Sequence, residues 1–174
     1  MKKGIIAFVL IIGSMAAMAQ GKLVANYFDD LADNEAYTKV SVSSKMFSLF
    51  TELEAGSEAE KEFLKAVSKL KGLKIIAADS IPNSASMYKK AINDVNKAGY
   101  EELMSVQDAE ENMKFSIKEK NGVIEELLMV AGGKKRFVLL SLYGEIDLKN
   151  ISKIAQAMKV EGLQNLSKLD ESSN

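Results

Sequence analysis

The sequence is 174 residues long, carries 23 basic and 24 acidic side chains for a formal net charge of −1, and contains neither histidine nor cysteine. Those two absences exclude nucleophilic catalysis of the Ser-His or Cys-His type, disulfide bridging, and transition-metal sites built on imidazole or thiolate. A near-neutral mixture of both signs, with no dense basic run, argues against a nucleic-acid surface or an anionic-lipid surface.

The chain begins with the three zones of a secretory signal. Lys2 and Lys3 are the basic zone, Ile5 to Ile12 the apolar zone, and Ala17-Met18-Ala19 the small-residue cleavage pattern before Gln20. The apolar zone is far shorter than the roughly 20 residues that span a bilayer. The expectation is a signal peptide over residues 1–19, export to the periplasm or beyond, and a soluble mature chain with no membrane span. With no cysteine to modify, no lipid anchor is expected. Cleavage takes two lysines and no acid, so 21 basic against 24 acidic side chains leave a formal −3. Residues 20–170 are expected to form one domain and residues 171–174 a frayed tail. A chain of this length withdraws about 68–70% of its unfolded surface from water, enough for a core without covalent staples.

Residues 22–33 place Leu23, Val24, Tyr27, Phe28 and Leu31 on one helical stripe. A strand is expected over residues 37–42, then a short helix over 45–53 that buries Met46, Phe47 and Phe50. Ser57 and Glu60 form a capping box that opens the next helix, whose stripe is Phe63, Leu64, Val67 and Leu70. Gly72 is expected to stop it in the position that favours a residue without Cβ. Leu73 to Ala77 reads as a strand. Pro82, the only proline, precedes a third helix lined by Met87, Tyr88, Ala91, Ile92 and Val95, which Gly99 closes.

Residues 100–107 and 113–120 read as strands, the second alternating Met113, Phe115 and Ile117 with polar neighbours. Asn121-Gly122 predicts a type I′ hairpin, and Gly132-Gly133 a second two-residue turn. An antiparallel meander over about 113–143 follows. Two-residue turns fix a register in which Phe115, Leu128 and Phe137 form one cross-strand row, and Glu126 lies between Ile117 and Leu139. Leu127, Val138, Leu140 and Leu142 share the opposite face. Asp147 caps a final helix with Leu148, Ile151, Ile154, Ala155 and Met158 inward, which Gly162 ends. The fold class read from this order is α+β: an antiparallel sheet of four to six strands with three to five helices packed on it.

Little in this pattern carries chemistry. The acids Asp29, Asp30, Asp33 and Glu35, or Asp108, Glu110 and Glu111, lack EF-hand spacing for calcium. Ser41, Ser44 and Lys45 are the nearest approach to a Ser-Lys pair, without the pattern of an apolar pocket. Gly132-Gly133-Lys134-Lys135 lacks the strand-to-helix context that aims N–H groups at a phosphate. No cofactor is expected. Glu126 stands out as a carboxylate at an apolar position, the setting that raises a pKa; a lone acid falls short of the pair used in glycoside hydrolysis. Of the nine methionines, Met46, Met87, Met113 and Met158 read as core, whereas Met104 and Met129 are freer. With Leu127, Val138, Leu140 and Leu142 they form an apolar groove if that face is open, and part of a core if helices cover both faces.

The carboxy-terminal third resembles an exported bacterial family catalogued as domain of unknown function 4252. The resembling stretches are Phe137 to Leu142, Gly144-Glu145-Ile146-Asp147-Leu148, Ile151-Ser152-Lys153 and Gly162-Leu163; Val40 to Phe47 also fits that family's strand-then-helix opening. The resemblance implies an envelope or secreted location and supplies no activity. Many members carry a lipoprotein cysteine; this chain has none, so a membrane tether does not carry over.

The leading expectation is therefore an exported, non-catalytic binding or interaction domain for an envelope protein or an apolar ligand, with Glu126, Leu127, Met129, Val138, Leu140 and Leu142 as its candidate contact residues. A carboxylate-dependent hydrolase using Glu126 and a structural assembly subunit are the alternatives.

Overall fold

The computed structural model describes residues 22–51 and 56–147. The expected signal peptide, the helix after Asp147 and the tail lie outside the described residues. Ten elements follow in order: α1 (Lys22–Asp30), β1 (Thr38–Ser43), α2 (Ser44–Thr51), α3 (Glu58–Ser68), β2 (Leu70–Ala78), α4 (Ser84–Lys97), β3 (Glu101–Gln107), β4 (Glu111–Lys120), β5 (Val123–Gly133) and β6 (Phe137–Ile146). The six strands make one antiparallel sheet in the order β1-β2-β6-β5-β4-β3. It is an α+β fold, and β3 to β6 run as a meander before β6 turns its far edge to β2.

Helices cover both faces. Phe47 of α2 and Val67 of α3 join Leu73, Phe115, Ile117, Leu127, Met129, Leu140 and Leu142 in one buried cluster. Val24 and Tyr27 of α1 and Ala91 and Val95 of α4 join Ile76, Leu128, Val130, Phe137 and Leu139 in the other. Alternation along β5 and β6 feeds the two clusters in turn, which is why these central strands read as nearly unbroken apolar runs.

Local signals hold at several ends. The Ser57 hydroxyl accepts from the Glu60 N–H, and the Glu60 carboxylate accepts from the Ser57 N–H, closing the capping box. Asn121 and Gly122 have φ of 54° and 77°, the two positive angles that a type I′ turn requires. Gly99, at φ 74°, ends α4.

Four expectations about the elements and their packing fail. Gly72 does not stop α3. The helix ends at Lys69, Leu70 enters β2, and Gly72 pairs with Tyr143, whose ring fills the space that a side chain would need. Gly132 and Gly133 do not form a turn; β5 runs through both, and the chain reverses over residues 134–136. Neither has positive φ. They are glycines because of close approach: a Cβ on Gly132 would meet Tyr88 Cβ at 2.6 Å, and one on Gly133 would strike the Glu110 carbonyl.

The expected row of Phe115, Leu128 and Phe137 does not exist. Glu125 is an extra residue in β5, so Glu119 pairs with Ile124 but Lys118 pairs with Glu126. That single-residue slip sets Phe115 opposite Met129 and Leu128 opposite Ser116, placing Phe115 and Leu128 on opposite faces. Leu128 and Phe137 still share a face. Finally, Met46 is 47% exposed rather than buried, because Phe47 takes the inward position of the two-turn helix α2 and its neighbour is rotated about 100° away.

Candidate functional site

The sheet's α1–α4 face opens at one end into a cleft of about 570 Å³. α1 lines it with Lys22, Leu23, Asn26, Tyr27 and Asp30, and the last turns of α4 with Lys90, Asp94, Lys97 and Ala98; Tyr100 and Lys118 close it from the sheet. Gly99 is what makes this possible. Its left-handed turn drops the chain from α4 into β3, and Tyr100 then points back beneath the helix end, only 8% exposed.

Each tyrosine is held from one side and covered by a lysine on the other. The Tyr27 hydroxyl donates to Asp94 Oδ2 at 2.9 Å, and Lys90 Nζ donates to the same carboxylate oxygen at 2.9 Å, an i,i+4 pair on α4. Lys90 Nζ also lies 4.5 Å from the Tyr27 ring centroid. Burial, with the hydrogen bond to Asp94 adding to it, pushes the Tyr27 phenol up to about 12. The Lys90 hydrogen bond holds the Asp94 carboxyl below its usual range, and the same bond raises Lys90.

Behind the cleft lies the one fully buried carboxylate among the described residues. Glu126 has no exposed surface; the Tyr100 hydroxyl donates to its Oε2 at 2.8 Å and the Ser141 hydroxyl to its Oε1 at 2.6 Å. Burial first, and then the charge of Glu126, raise the Tyr100 phenol well above its ordinary value. Lys118, which faces Glu126 across the β4–β5 register, sits with its ammonium 5.1 Å from the Tyr100 centroid. The order from the core outward is thus carboxylate, phenol, ammonium.

Of the sequence-derived candidates, Glu126 is brought to this site as the support of Tyr100, and not to the position between Ile117 and Leu139; its cross-strand neighbours are Lys118 and Tyr143. Leu127, Met129, Val138, Leu140 and Leu142 are collected on the other face, between 0% and 6% exposed, in the cluster with Phe47 and Val67. Met129 is therefore core rather than free, and at these five positions the face is packed instead of open. The acids considered for calcium disperse. Asp108 accepts the N–H groups of Glu110 and Glu111 in a turn, which lowers its pKa, while Asp30 lines the cleft. Among the described residues no cluster of three or more potential metal ligands forms, and no helix is long and apolar enough to cross a membrane.

Sequence reasoning missed Lys22, Lys90, Asp94, Tyr100 and Lys118 as a group. Lys90 and Asp94 were legible as a helical pair, and the polar ends of Tyr27 and Tyr100 called for partners once their rings were buried. Nothing local joins four elements so far apart in sequence.

Neither the curated proteins nor the solved structures contain a significant match to this chain. The family profile described as domain of unknown function (DUF4252) matches residues 27–154, which takes in β1 to β6, the α2–α3 cluster, the α1–α4 cluster from Tyr27 onward and every cleft residue from Tyr27 onward. The chain belongs to that family.

Proposed function

We propose that the domain is an exported, non-catalytic binding protein whose ligand is a small organic anion seated in the α1–α4 cleft. One observation carries this reading. Lys22, Lys97 and Lys118 converge on a single concavity, and none is in an ion pair among the described residues, in a chain whose formal charge is −1. Four lysines, Lys22, Lys90, Lys97 and Lys118, against two acids, Asp30 and Asp94, leave the cleft lining with an excess of two positive charges, which attracts and orients an anion. Leu23 and Ala98 offer its carbon part an apolar wall, and the tyrosines beneath are fixed by Asp94 and Glu126.

The burial of Glu126 supports binding over hydrolysis. A general base must reach a substrate proton within hydrogen-bond distance, whereas both Glu126 oxygens receive buried hydroxyls. An apolar ligand at Leu127, Met129, Val138, Leu140 and Leu142 would require the α2–α3 layer to lift, which makes the cleft the better site. The amino-terminal zones of the sequence support export.

The test is calorimetric titration of the secreted mature chain with citrate, succinate and decanoate. At least one should give saturable heat, and Lys22→Glu with Lys97→Glu should weaken it by about tenfold or more while leaving the circular dichroism unchanged, tenfold being about 1.4 kcal/mol. No saturable heat at millimolar anion, or undiminished binding by the double variant, overturns the reading. Export is checked by the mass of the envelope-fraction protein: it should begin at Gln20, and an intact amino terminus retained in the cytoplasm would refute it.

A further inference from the structure

We infer that β1 is a self-association edge through which two copies of this chain join their sheets antiparallel. The sheet ends in β3 on one side and β1 on the other, and the two edges are built differently. β3 carries Glu101 and Glu102, breaks register between Glu102 and Met104, and ties Glu102 to Lys114 at 2.5 Å. Charge and irregularity are the devices that keep a free edge from recruiting another strand. β1 has neither. It pairs with β2 over six residues without a register shift, and its sequence, Thr-Lys-Val-Ser-Val-Ser, is uncharged except at Lys39. That ammonium is drawn away to the end of α1, donating to the carbonyls of Leu31 at 2.8 Å and Ala32 at 2.5 Å.

Exposed apolar surface collects at the same place. Of the five large hydrophobic residues exposed among the described residues, Val40, Met46 and Leu49 fall on β1 and on α2, which follows it without a loop and packs on β1 and β2.

A second copy is the occupant that this strand fits. Antiparallel pairing about a two-fold at Val40 sets Val40 beside Val40, Thr38 beside Val42 and Lys39 beside Ser41, so that β-forming side chains meet and no like charges face each other. Because Val40 shares the sheet face of Val42, which packs in the α2–α3 cluster, the exposed residues of both α2 helices flank the same side of the joint.

Light scattering on the mature chain over a concentration series should show dimers at the upper end. Val40→Lys sets two ammoniums together at the two-fold and should give monomers of unchanged circular dichroism; mixing it with Val40→Glu should restore the dimer. In a chain without cysteine, Val40→Cys should form a disulfide-linked dimer on mild oxidation, while Val106→Cys on β3 should not. A wild-type chain monomeric at millimolar concentration, a dimer indifferent to Val40→Lys, or equal cross-linking from both cysteine positions overturns the inference. The cross-linking arm decides even where the lysine variant fails to fold.

Discussion

On the α2–α3 face of the sheet, strands β4 to β6 contribute Phe115, Ile117, Leu127, Met129, Leu140 and Leu142, all carbon and sulfur. The same strands turn Ser116, Glu126 and Ser141 to the α1–α4 face, and α4 adds Ser84, whose hydroxyl donates to the Gly133 carbonyl at 2.6 Å; these are the four buried polar residues among those described. One sheet therefore has a face that only packs and a face that packs around buried polar groups, of which Ser141, Glu126 and Tyr100 form a hydrogen-bonded chain that ends at the cleft. An apolar face gains from each methylene withdrawn from water and tolerates rearrangement. A buried carboxylate tolerates very little, since every partner removed leaves part of its desolvation uncompensated. Rigid tyrosine walls at the cleft are what the second kind of face provides.

The largest expected effect tests the purely apolar side. Leu140→Ala removes a side chain with no exposed surface from the middle of β6, and should lower stability by about 2–5 kcal/mol in urea unfolding, with anion binding to the folded fraction unchanged. Binding lost in step with stability would mean that the faces are not separable. Tyr100→Phe tests the polar side with a far smaller change in volume. It removes the hydroxyl donor to Glu126 and should cost about 1–3 kcal/mol, while also weakening ligand binding through a loosened cleft wall. An effect confined to stability would make that hydrogen-bonded chain structural alone.

How much of this was legible depends on the reach of each signal. The Asn121-Gly122 turn is written in two residues, because the φ angles it needs are intrinsic to them. The α+β class followed from periodicity; Glu126 stood out as a carboxylate in an apolar run, but the neighbours assigned to it, Ile117 and Leu139, are not the ones it has. Gly132 and Gly133 carried the same composition for a different cause: their crowding comes from Tyr88 and from the Glu110 backbone, more than twenty positions away. The extra residue at Glu125 has no local mark, yet it reverses the face of everything in β5 beyond it relative to β4. Hence the grouping of Leu127, Val138, Leu140 and Leu142 survived while the partnership of Phe115 with Leu128 did not. The cleft was least legible of all, since its lysines and tyrosines meet only when α1, α4, the turn that leads into β3, and β4 are assembled.

The smallest effect lies at the cleft's own rim. Tyr27→Phe keeps the ring, which is 4% exposed, and deletes only the hydroxyl donated to Asp94. Asp94 retains Lys90 and is partly open to water, so the expected cost at neutral pH is about 0.5–1.5 kcal/mol. Its pH dependence identifies the source. Folding raises the Tyr27 phenol from 10.0 to about 12, so folding favours the protonated form, and that contribution is whole below pH 10 and lost as pH climbs through 12. The stability gap between wild type and Tyr27→Phe should close over this interval. At the acid end the sign reverses. Asp94 is depressed chiefly by Lys90 and also by the Tyr27 hydroxyl, so its contribution is present above 3.8 and lost as pH falls below, less of it in Tyr27→Phe, which keeps only Lys90. Urea unfolding of the pair at pH 3, 7, 10 and 12 separates these limbs; a gap that persists undiminished at pH 12 would show that the phenol proton is not what ties α1 to α4.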